Sequence, residues 1–156
     1  MSTTSTAPSD GERPSAAPAL QESLAELIDL SLLGKQAHWN VYGKNFRALH
    51  QQLDDVVEFA RQSADTVAER LVAIGANADG RASTVAAESG LPALEEGSLP
   101  DTTVVTFMVE AYTTTIANMR HRIEALGSTD SVSQDLLIGI TAELEKQSWM
   151  FQAEMA

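Results

Sequence analysis

Apolar residues recur every three or four positions along most of this chain, the period of a helix that turns one face to a core. Over residues 20–41 the series runs Leu24, Leu27, Ile28, Leu30, Leu32 and Ala37. Residues 42–45, Tyr-Gly-Lys-Asn, predict a turn with Asn45 capping the next helix. That second helix is predicted over 46–74, where Leu49, Leu53, Val56, Val57, Ala60, Ala64, Val67, Leu71 and Ile74 form one stripe that ends at Gly75. Residues 75–100 hold several glycines and prolines and predict a long crossover, with a short helix over 83–89. Asp101 is placed to cap a third helix that runs to Leu126, and Ser128, Thr129 or Asp130 to cap a fourth that nears the C-terminus. The pattern is all-α: two tight helical hairpins joined by one long crossover, which describes a four-helix bundle. No repeat of solenoid length and no glycine-rich phosphate loop interrupts it.

Composition narrows the chemistry. A chain of 156 residues, 44% of them hydrophobic, can build one domain with a core of its own. Residues 1–17 are rich in Ser, Thr, Ala and Pro and predict a flexible, faintly acidic tail, with the bundle domain over 18–156. The formal charge of −12 disfavours autonomous binding to phosphate backbones. With no cysteine there is no disulfide, no thiolate metal site and no thiol nucleophile, and the expected setting is the cytoplasm. No apolar run approaches the length of a membrane span, and residues 1–20 lack the basic start and apolar stretch of a secretion signal.

The candidate chemistry lies on the second helix. Ligands for one ion on a helix must stand three or four residues apart, because each residue advances about 100° around the axis. His50 with Asp54, and Asp65 with Glu69, satisfy this. Relative to His50 the four project at roughly 0°, 40°, 60° and 100°, on one flank of the apolar stripe. The two pairs are nevertheless about 16 Å apart along the axis, too far to meet on one ion. A second copy of the chain removes the difficulty. If this helix crosses its symmetry mate antiparallel, His50 meets Glu69, Asp54 meets Asp65, and Glu58 meets Arg61, all in a single register. Ala60, Ala64 and Ala68 are expected to permit close approach beside that seam. His38, as far before the turn as His50 is behind it, adds a ligand from the first helix. Each of two equivalent sites then has two histidines and a carboxylate from one subunit and two carboxylates from its mate. Such a nitrogen and oxygen set suits Fe(II) and also accepts Mn, Zn or Co. The competing explanation is a solvated polar helix face, and the agreement of five positions weighs against it.

The run Lys35-Gln36-Ala37-His38-Trp39-Asn40, with Gly43, Asn45, Phe46, His50, Asp54, Asp65 and Glu69-Arg70 behind it, resembles the Dps proteins, the DNA-binding proteins from starved cells of the ferritin-like superfamily. Leu144-Glu145-Lys146 and Trp149 extend the resemblance more loosely. It implies a ferritin-like bundle assembled as a hollow dodecameric shell from twofold dimers, with a ferroxidase centre of two iron ions at each twofold interface. His38, His50 and Asp54 would come from one subunit and Asp65 and Glu69 from its partner. The implied reaction is oxidation of Fe(II) by hydrogen peroxide and storage of ferric mineral, which protects the cell and its DNA. The paired Glu-x-x-His motifs of an intrasubunit di-iron bundle are absent.

The resemblance leaves other roles open. Trp39 would stand beside the centre as an oxidant-quenching aromatic, or serve only in packing. Asp130 and Asp135 would line an iron-entry pore on a threefold axis, or cap the fourth helix. Arg70 is expected to pair with a neighbouring subunit's carboxylate, His121 to lie on the surface, and Met108, Met119, Met150 and Met155 to fill core or interface. The N-terminal tail lacks the lysines with which family members commonly condense DNA, so weak or absent DNA binding is expected. The alternative function is a nucleoid-associated, DNA-condensing protein whose metal site is secondary; a further one is a purely structural or protein-binding bundle.

Overall fold

The computed structural model describes residues 13–156, and within them the chain forms α1 (Arg13–Asn40), β1 (Val41–Tyr42), α2 (Phe46–Ala73), α3 (Ala82–Glu88), β2 (Leu99–Pro100), α4 (Asp101–Leu126) and α5 (Ser131–Glu154). The hairpins α1–α2 and α4–α5 pack as two layers, with α1 against α4 and α2 against α5. Between them Leu27, Leu30, Leu53, Leu71, Met108, Tyr112, Met119 and Phe151 are fully buried. This is the bundle with one crossover that the periodicity predicts, and α3 is the short helix within the crossover.

The differences have local causes. The first helix begins at Arg13 rather than near residue 20, because Ala16, Ala19 and Leu20 already face the core. The part of the predicted tail that precedes residue 13 lies outside the described residues. Asn45 stands at the N-cap position of α2 but makes no side-chain cap; its backbone N–H donates to Asp101 Oδ2 at 2.9 Å. Pro100, not Asp101, holds the cap position of α4, while Asp101 Oδ1 accepts from the Thr102 N–H at 2.8 Å. The parallel pairing of Val41 with Leu99 and Tyr42 with Pro100 has no counterpart in the sequence pattern, since two residues carry no readable alternation.

Two glycines set the geometry around the hairpin. Gly43 sits at φ +133°, and a Cβ there would fall 2.6 Å from the Asp101 carboxylate, so the turn and the start of α4 interlock. At Gly34 a Cβ would meet Val57 Cγ2 at 3.2 Å and Val56 Cγ1 at 3.3 Å. This close approach of α1 and α2 lies one turn before His38 and fixes its height against α2.

Candidate metal centre

His38 stands near the C-terminus of α1, among the last carbonyls that lack a partner within the helix. His50 supplies one: His50 Nδ1–H donates to the His38 carbonyl at 2.8 Å. The reverse bond also forms, His38 Nδ1–H donating to the His50 carbonyl at 2.7 Å. A carbonyl oxygen only accepts, so each Nδ1 carries a proton, and in the neutral tautomer this leaves the lone pair on Nε2. The rings stack with centroids 3.6 Å apart and planes inclined by 18°, and Phe46 covers His50 at 5.0 Å. His38 is buried and His50 half-buried, so the pair is rigid before any ligand arrives.

Asp54, one turn beyond His50, places Oδ1 3.5 Å from His38 Nδ1 and 2.7 Å from Lys35 Nζ. The hydrogen bond from the Lys35 ammonium holds this carboxyl below the usual carboxylate range; partial desolvation opposes it, and the charge of Lys35 reinforces it. Asp65 and Glu69 are exposed on the same helix and are not brought to the first three residues within one chain. Among the described residues of a single chain, no three His, Asp or Glu side chains converge in a geometry that holds a metal ion.

Several expected neighbours take other places. Ala60 and Ala64 are buried in the protomer's own core, so they do not face a partner helix, and Ala68 packs partly buried against that core. Arg70 finds its carboxylate within the chain: its guanidinium donates to Asp130 at 2.9 and 3.1 Å and to Ser133 Oγ at 2.9 Å. Asp130 is also the side-chain cap of α5, accepting from the N–H groups of Val132 and Ser133. Although burial raises its pKa, the bonds from Ser133 and Arg70 outweigh this and hold it low. The cap and the ion pair thus occupy Asp130, while Asp135 is exposed. Trp39 is 67% exposed, so packing within the protomer does not account for it, and Trp149 is exposed likewise. His121 lies on the surface as expected; Met108 and Met119 are core, whereas Met150 and Met155 are exposed. Lys35 belongs to the centre although spacing alone does not select it; the sign was its position three residues before His38.

Comparison with known proteins gives the same class. A ferritin-like domain family matches residues 17–156. The DNA protection during starvation protein 2 of Deinococcus radiodurans is 39% identical over 135 residues, covering 86% of this chain and 56% of that protein, so the chain spans little more than half its length. The DNA protection during starvation protein of Mycolicibacterium smegmatis is 35% identical over 155 residues, covering 94% of this chain and 80% of that one. Among solved structures, Mycobacterium smegmatis Dps in a tetragonal form superposes with a TM-score of 0.91 at 33% identity, covering 99% of this chain and 94% of that one. Dps from Microbacterium arborescens, in a high iron form, matches with a TM-score of 0.91 at 34% identity over 96% and 97% of the two chains. The chain belongs to the Dps family of ferritin-like proteins. No described helix is long and apolar enough to cross a membrane.

Proposed function

We propose that this protein is a ferroxidase and iron store that oxidises Fe(II), preferably with hydrogen peroxide, and sequesters the ferric product inside a dodecameric shell. The observation that carries the reading is the His38–His50 lock, in which each Nδ1 is bonded to the other residue's carbonyl, leaving both Nε2 atoms available as ligands, with Asp54 Oδ1 3.5 Å from His38 Nδ1. Asp65 and Glu69 of a partner would complete the site across an antiparallel α2 seam, supplying the negative charge that favours Fe(III) over Fe(II). Two ferrous ions held together give up one electron each, and one peroxide takes both and leaves as two hydroxides, so no hydroxyl radical is released. Mn, Zn or Co would occupy the same ligands. Trp39, exposed one residue after His38, would intercept stray oxidant, and Asp135 would help line a pore.

The test is peroxide consumption after anaerobic loading with Fe(II), alongside particle mass. The expected ratio is about one peroxide for two ferrous ions, on a particle of twelve chains. A ratio of one to one with spin-trapped hydroxyl radical would overturn it.

The relatives' names speak of DNA protection; in this chain that protection would act through iron and peroxide in the cytoplasm rather than through DNA condensation. The formal charge of −12 supports this reading. Duplex DNA should run unretarded with the protein in a gel at moderate salt, and tight, magnesium-independent retardation would favour the nucleoid role instead.

A further inference from the structure

Lys35 stands outside the ligand set, yet it holds a carboxylate on which the set depends. Its Nζ lies 2.7 Å from Asp54 Oδ1, and His38 Nδ1 lies 3.5 Å from the same oxygen. Lys35 and His38 leave the same flank of α1, three residues apart, so the ammonium and the imidazole reach the same carboxylate oxygen. Asp54 is 53% exposed and water alone could solvate it; the chain instead supplies a fixed cation on a side chain only 26% exposed. A divalent ion sharing this carboxylate would lie within about 5 Å of the ammonium, where like charges repel strongly.

We propose that Lys35 is a resident cation that neutralises the metal-free half-site and sets its affinity, so that a divalent ion binds by displacing the ammonium from Asp54. The inference rests on the ferroxidase reading of the centre. It explains how Asp54 can be held ready without capturing the His38 N–H: with Oδ1 bonded to Lys35, that N–H stays on the His50 carbonyl. The selectivity that follows is for ions able to outbid an ammonium, which favours divalent over monovalent cations.

The test uses the full assembled protein and Co(II) as probe, followed by anaerobic calorimetry and by the cobalt absorption band. Lys35→Gln is expected to tighten Co(II) binding at least about tenfold, since it keeps a hydrogen bond to Asp54 but removes the charge. Lys35→Arg keeps the charge and should bind within about twofold of the unsubstituted protein. Unchanged or weaker binding in Lys35→Gln, or equal tightening in Lys35→Arg, overturns the proposal. His50→Ala separates this from the underlying reading: if it abolishes Co(II) binding, the centre stands and the Lys35 variants alone decide. If His50→Ala leaves binding intact, the centre and the Lys35 proposal fall together.

Discussion

His50→Ala is expected to slow peroxide-driven iron oxidation about a hundredfold, through loss of an imidazole ligand, while the particle keeps its mass and helical content. The fold should tolerate the change. His50 is half-buried at the edge of the apolar stripe, and the backbone carbonyl of residue 50 remains to accept from His38 Nδ1. What is lost is one hydrogen bond to the His38 carbonyl and the stacked ring, about 1 kcal/mol. Glu69→Ala should lower the rate similarly with less structural cost, since Glu69 is exposed. The two variants also test the seam. In a heterodimer of one His50→Ala chain and one Glu69→Ala chain, one site loses both groups and the other keeps all five. Random co-assembly should therefore restore about a quarter of the sites from two nearly inactive parents. If the mixture recovers nothing, the two residues serve the same chain, and the intersubunit centre is wrong.

How much of this was legible in the sequence depends on how far each partner lies along the chain. α2 was read to within a residue because its stripe is continuous and ends at a glycine with φ +88°. The start of α1 was not, because Ala16 and Ala19 are small and flanked by prolines, so a buried turn there looks like a polar tail. At the centre, spacing picks out His38, His50 and Asp54, all of which the fold gathers. The lock between the histidines was invisible, because its acceptors are backbone carbonyls and every residue has one. Ala60 and Ala64 mislead for a related reason: a stripe of small residues shows that something approaches closely, not whether it is a partner or the chain's own core. Arg70 shows the same limit: a neighbouring subunit's carboxylate is expected from the sequence, but Asp130, 60 residues along the same chain, satisfies it.

The Arg120-His121-Arg122 triplet reads as surface, yet Arg122 is buried, and its removal is expected to be among the most destabilising single changes outside the apolar core. Its Nη1 and Nη2 each donate to the Glu26 carboxylate at 2.9 Å, a two-pronged pair between α4 and α1 with side chains only 9% and 4% exposed. Asn118 Nδ2 donates to Glu26 Oε1 at 2.8 Å, and Arg122 Nε to Glu22 Oε2 at 3.2 Å. Arg122→Ala leaves Glu26 charged, enclosed and held by a single amide, which costs about 3–5 kcal/mol. Thermal melting at matched protein concentration should show a drop of about 10 °C. Glu26→Ala should also destabilise, though less, because Glu22 Oε2 still accepts from the Arg122 Nε, whereas the double change Glu26→Leu with Arg122→Met should come close to the unsubstituted protein, because no buried uncompensated charge remains. That pattern, two damaging single changes that largely cancel, is the signature of a buried ion pair whose desolvation nearly offsets its attraction. A double variant no more stable than Arg122→Ala would mean that the loss does not come from leaving one charge of the pair unpaired.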